Sequence, residues 1–170
     1  DGLTSGEKLN LGVEDLRNVR GKISSENKLE YTGSYLDNTD GEFVSSNGLN
    51  LNTKEIVNKK GLIAGSGITI KGETLDTKEG RIISEGNTDI EVLKIENTRG
   101  LILADNLKIK GNELNNEEGS IQGLRVFADL EKKINNTKGS ILGTENLSIA
   151  TEVLKNVEGQ LITNGELKIE

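Results

Sequence analysis

The groups in this sequence that could do chemistry are carboxylates and amides. Adjacent acids occur at Glu14-Asp15 and Glu117-Glu118. Paired carboxylates perform acid–base hydrolysis, or hold a hard cation, when a fold fixes their separation. Asn135-Asn136-Thr137 and Asn146-Leu147-Ser148 match the N-glycosylation sequon. Nothing supports these groups with partners. The chain has no Cys, His, Pro, Met or Trp, which excludes a disulfide scaffold, a Cys/His zinc site, a haem held by His, Cys or Met, and any nucleophile–His dyad. There is no Gly-rich phosphate loop and no G-x-S-x-G. The remaining acids are spread evenly among Lys and Arg. The acid pairs therefore read as solvated surface and the sequons as chance matches. No catalytic residue, metal site or cofactor is expected.

Composition narrows the class further. The formal charge is −7, with four aromatic residues: Tyr31, Tyr35, Phe43 and Phe127. Nucleic-acid binders show the opposite charge balance and stacking aromatics. Leu, Ile, Val and Phe make up 49 of 170 residues, too many for a disordered chain. The apolar runs are only a few residues long, so no membrane span is expected. No stretch of the sequence reads as a secretory signal peptide. The sequence opens in mid-pattern, which reads as an internal piece of a longer protein.

The elements that must position these groups follow from a repeat. Gly21, Gly41, Gly61, Gly80, Gly100, Gly119, Gly139 and Gly159 are spaced by 19 or 20 residues. A Leu or Ile lies five residues before each, and Ile, Phe or Leu lies two residues after. Asn lies three residues before each, except at Thr77. An alternating apolar pair follows, as in Leu29/Tyr31, Leu49/Leu51 and Ile68/Ile70. The unit reads L-x-N-x-x-G-x-I, a turn, then L-x-I. Helical spacing is absent and alternation dominates, which is strand periodicity. Asn-x-x-Gly reads as a turn in which Gly supplies the positive φ. One unit cannot bury its apolar side alone, so units stack about 4.8 Å apart around an aliphatic core. The expected fold is all-β, a parallel β-helix of about eight coils of 19–20 residues. Residues 1–15 form the tail of a preceding coil and residues 16–170 the eight coils. A leucine-rich repeat is rejected because the third position after the leading Leu or Ile is mostly polar. The calcium-binding G-G-x-G-x-D repeat is absent.

Stacked units turn sequence columns into ladders. The Asn column predicts stacked side-chain amides, with a weak point at Thr77. The residues before each Gly run Arg20, Asp40, Lys60, Glu79, Arg99, Glu118, Lys138, Glu158, so each charge would neighbour its opposite. Two units depart. The fourth spaces Gly80 from its apolar pair, read as Ile90/Val92, by ten residues, which predicts a lobe around Glu85–Asp89. In the sixth, Leu124, Val126, Ala128 and Leu130 face one way. That turns Phe127 outward as the one candidate contact residue.

The units Leu36-Asp37-Asn38-Thr39-Asp40-Gly41-Glu42-Phe43, 114–121 and 134–141, followed by their L-x-I strands, resemble the repeats of filamentous-haemagglutinin-type exoproteins. The resemblance extends from about Leu9 onward. It implies a right-handed parallel β-helix within a very large protein, secreted or held at the bacterial surface after two-partner export through an outer-membrane transporter. Relatives of this kind include adhesins, contact-dependent inhibition proteins and a secreted leukotoxin. The expected role is a non-catalytic stalk. The alternative is a module that binds a host or target cell surface, protein or glycan. A carbohydrate-active β-helix enzyme is the remote alternative. Open apolar edges at the first and last coils predict end-to-end self-association.

Overall fold

The computed structural model describes residues 2–170, and among them every regular element is a β-strand. All strand pairings are parallel and join residues one repeat apart. Ile23 pairs with Phe43, Phe43 with Ile63, Ile63 with Ile82 and Ile82 with Ile102. Leu29 pairs with Leu49, and Leu49 with Ile68. The fold is a β-solenoid of about eight turns, which at the parallel-strand spacing makes a rod roughly 40 Å long.

Each coil has three sides. In the coil that opens at Gly41, the first is the strand Glu42–Ser45, and the other two are the halves of Gly48–Val57. Where the corners pair more continuously, all three sides merge into one strand, as in Lys22–Asp37, Ser120–Asn135 and Ser140–Lys155. Register shifts mark the corners, for example between Gly123 and Arg125 and between Leu130 and Lys133. Alternation sends aliphatic columns from every side into the interior, two of them from the second side. The Ile63 and Ile82 column of the first side, Leu49 and Leu107 of the second, and Ile56 and Ile134 of the third are fully buried. Full burial of such a side chain contributes about 1.5–3 kcal/mol, and no coil can obtain it without a coil on each side. Leu167 and Ile169 in the last coil stay about half exposed.

The turn differs from the sequence expectation. The glycines do not have positive φ. The charged residue before each Gly does, at φ between 53° and 57° in all eight coils. The glycine is required for space instead. A Cβ at Gly41 would collide with the backbone carbonyl of Asn18 in the preceding coil, and one at Gly119 with that of Asn97. The turn is closed by the Gly N–H donating to the Asn carbonyl, at 3.0 Å for Gly41 and 3.1 Å for Gly139. That bond, and the pairing of Asp40 N–H with the Lys59 carbonyl at 2.9 Å, holds a conformation that costs a non-glycine residue roughly 1–2 kcal/mol.

Two further expectations are corrected. There is no lobe at Glu85–Asp89. Thr88 occupies the interior position between Ile68 and Leu107, in register with both, and is 1% exposed. The true inward pair is Thr88/Ile90, and Val92 fills the following corner, paired with Gly72. Polar Thr disguised the pattern, and its Oγ1 is buried without a hydrogen-bond partner. Leu124 does not share the inward face of Val126, Ala128 and Leu130. It sits exposed at the corner, where its N–H donates to the Asp105 carbonyl at 2.9 Å.

These assignments predict opposite outcomes for adjacent residues. Gly139→Ala should destabilise by about 2 kcal/mol or more through backbone collision. Lys138→Gly should be neutral or stabilise by up to about 1 kcal/mol by relieving the left-handed residue. Urea unfolding of both variants checks this. The same assay should show Thr88→Val gaining about 1–2 kcal/mol, because an unsatisfied hydroxyl is exchanged for a methyl of the same shape.

Candidate functional site

The buried polar column has one chemical job. Asn18 Nδ2 donates to Asn38 Oδ1 at 2.7 Å, Asn38 to Asn58 at 2.8 Å, Asn97 to Asn116 at 2.7 Å, and Asn116 to Asn136 at 2.7 Å. Asn38, Asn58, Asn97, Asn116 and Asn136 each also donate to the carbonyl of their own turn glycine, as Asn116 does to Gly119 at 3.3 Å, and to a carbonyl in the next coil. Asn38, Asn58, Asn97, Asn116 and Asn136 are completely buried. The column staples turn to turn and is closed to any ligand. Thr77 breaks it as expected. Its Oγ1 accepts from Asn58 Nδ2 at 3.2 Å, but its shorter side chain brings no donor to Asn97 Oδ1, which is buried and unpartnered.

The charged turn residues stand outside this column as a ridge. Glu79 lies 3.8 Å from the Lys60 ammonium and 3.1 Å from the Arg99 guanidinium, bridging the coils on both sides. All three side chains are well exposed, so each pair contributes at most about 1 kcal/mol. The ridge keeps like charges apart along a 4.8 Å ladder; it encloses nothing.

The acid pairs do not converge. Glu117 and Glu118 lie in a turn, the first half-buried and the second exposed in the left-handed position. Glu14 and Asp15 lie at an open corner. Among the described residues no group of three or more acids could hold a metal ion. The Glu30 carboxyl is held below the usual carboxylate range, chiefly by the hydrogen bond from Lys28 and then by the Asn50 amide. That direction is wrong for a general acid at neutral pH. The first sequon's Asn135 is committed to structure: its amide donates to Asn115 Oδ1 at 2.9 Å and its oxygen accepts from the Thr137 N–H and hydroxyl.

Phe127 is outward and 39% exposed. It sits on the second side, paired with Lys108 in one neighbouring coil and Ser148 in the other. A shallow groove of about 240 Å³ runs beside it, lined by Asn87, Asp89, Asn106, Lys108 and Phe127. Asn106 Nδ2 donates to Asn87 Oδ1 at 3.0 Å, and Arg125 donates to Asn106 Oδ1 at 2.9 Å while pairing with Glu145 at 2.6 Å. The groove thus offers a phenyl ring, an ammonium, a carboxylate and fixed amides, with no nucleophile held against a base. The neighbours of Phe127 were missed in the sequence because they lie one and two repeats away. Stepping back 19 residues twice, to Lys108 and Asp89, locates them once the register is known.

Ridge and groove are both outer surface; the interior is filled. Glu79→Lys should therefore cost less than about 1 kcal/mol at low salt, and the loss should fade as salt screens the new repulsion from Lys60 and Arg99. A loss that persists in 1 M salt would place Glu79 in packing instead.

The haemagglutinin repeat family model matches residues 1–92 and 128–170. Comparison with curated proteins and with solved structures returns no match. With the family pattern covering most of the chain, and with one turn, one amide and one set of aliphatic residues repeated from coil to coil, the chain belongs to the haemagglutinin-repeat family.

Proposed function

We propose that this chain is a non-catalytic scaffold segment of a large bacterial exoprotein, an adhesin or toxin that is secreted or displayed at the cell surface. Its partner in export would be an outer-membrane transporter of the two-partner type. The observation that carries this reading is the uninterrupted stacking of near-identical coils. Residues 16–170 supply eight coils, with residues 1–15 as part of a preceding one. Nearest-neighbour contacts alone stabilise such a rod, so its length is set by the number of coils and its outer columns are free to vary.

A scaffold tolerates a change of length in whole coils. Deleting residues 97–115 joins Glu96 to Asn116 and preserves every column. The shortened chain should fold, with a rod about 4.8 Å shorter by solution scattering. Failure of this variant to fold would show that the coils are not interchangeable and would count against the scaffold reading.

The exposed ring of Phe127 beside Lys108 and Asp89 favours a second reading, in which this side contacts a host or target cell. Binding of the labelled chain to leukocytes and epithelial cells separates the two readings. The control is a chain with the same core and scrambled outer columns. A pure scaffold shows no saturable binding above that control. Saturable binding that drops at least tenfold in Phe127→Ala, about 1.4 kcal/mol, would make the groove a contact site.

A further inference from the structure

The first side of the solenoid carries an apolar column on its outside. Val44, Ala64, Ile83, Leu103, Leu142 and Ile162 fall in one in-register outward line, opened by Ser24 and interrupted once by Gln122. They remain partly accessible, Ile162 by 40%. No residue of this line is charged in a chain that is 29% charged. Every other outward strand column carries charges: Lys22, Glu42 and Arg81 in the adjacent one, and Lys71, Glu91 and Lys110 in one column of the second side. The adjacent column also contributes Leu62 and Leu101, which widen the apolar strip at its centre.

We infer that this strip is a lateral docking surface for a second copy of the chain, laid alongside with its axis antiparallel. A partner must offer an uncharged face whose side chains recur every 4.8 Å, and the same strip of a second copy does so by construction. A twofold axis along the strands, between Ile83 and Leu103, sets those two opposite each other across the interface. It sets Val44 against Leu142, and the long Gln122 over the notch at Ala64. In the adjacent column it places Glu42 opposite Ser140 and Arg81 opposite Leu101, so no like charges meet. The antiparallel arrangement sets one charge, Arg81, against an apolar residue, Leu101, at the strip's edge, where a long side chain can keep its head in water. The parallel one, with the two columns of each copy exchanged across the axis, would lay both Glu42 on Val44 and Arg81 on Ile83. Eight coils of two columns cover roughly 400 Å² per copy, below the standard interface size. The dimer is therefore weak, and its strength grows with the number of coils engaged.

Sedimentation velocity and small-angle scattering of the chain, from about 10 μM to about 1 mM, test this. The expected species at high concentration has twice the mass and nearly the same maximum dimension as the monomer. Ile83→Lys with Leu103→Lys should weaken it more than tenfold. Ile83→Thr with Leu103→Thr keeps strand-forming residues and should also weaken it, and thermal melts verify that both variants fold. Leu167→Lys with Ile169→Lys alters only the end coil and should leave lateral pairing unchanged. A monomer throughout the range, a dimer twice as long, or a dimer indifferent to both strip variants would overturn the proposal. So would a monomer that floats with phosphatidylcholine vesicles, which would assign the strip to lipid instead.

Discussion

Parallel pairing one coil apart is the constraint from which the rest of this structure follows. Each residue sits on its equivalent in the next coil, so any property of a position is repeated at strand spacing along the rod. An aliphatic position becomes a continuous buried column. A charged position becomes a row that must alternate in sign or repel itself. An amide position becomes a chain of donors and acceptors that is either complete or locally costly. The Asn column shows this most directly. From Asn38 to Asn136 each buried amide serves its own turn and the next coil's at once, so the turn and the stacking cannot be separated energetically. The glycine after each turn belongs to the same arrangement. From Gly41 on it is the residue over which a backbone carbonyl of the preceding coil passes, that of Asn in most coils and of Thr77 at Gly100, and a side chain there would push the coils apart.

The repeat alone makes most of the inward columns legible. The Asn ladder, the aliphatic columns on its two sides and the break at Thr77 all follow from spacing, because the side-chain period of a strand is fixed and the turn glycine sets the phase. Two kinds of information were not legible. Backbone conformation within the turn does not follow from spacing, because Gly is the usual carrier of positive φ whereas here a close contact with another coil claims it. Only the three-dimensional neighbour, not the local sequence, distinguishes those two uses of glycine. Thr88 hid an inward position for a related reason. A hydroxyl reads as surface, yet the register leaves it no alternative to the interior.

The outward apolar line is masked in the sequence because it alternates with the inward apolar columns. Leu62-Ile63-Ala64 and Leu101-Ile102-Leu103 are three apolar residues in a row. In a strand with one buried face, the first and third of such a run must point out. The exposure of Phe127 could be read by the same alternation. Its setting could not, because Asp89 and Lys108 lie in other coils and only the register joins them to it.

A solenoid of this kind separates stability from surface chemistry. The inward columns and the amide ladder are shared from coil to coil and leave little room for change, whereas the outer columns contribute little to folding and carry what distinguishes one coil from the next. Within one coil the three sides already differ: two are studded with compensating charges that stay hydrated, and one is uncharged along its outer line. Hydrated charge keeps neighbouring rods apart at ordinary ionic strength, since removing it from water costs more than an exposed pair returns. The uncharged line lacks that barrier, and its apolar area is multiplied by every coil added. Coil number therefore acts on two quantities at once. It sets how far the rod reaches, and it sets how strongly that one side attracts an apolar surface with the same spacing, so a longer array built on this pattern is stickier along its first side without any change in its individual coils.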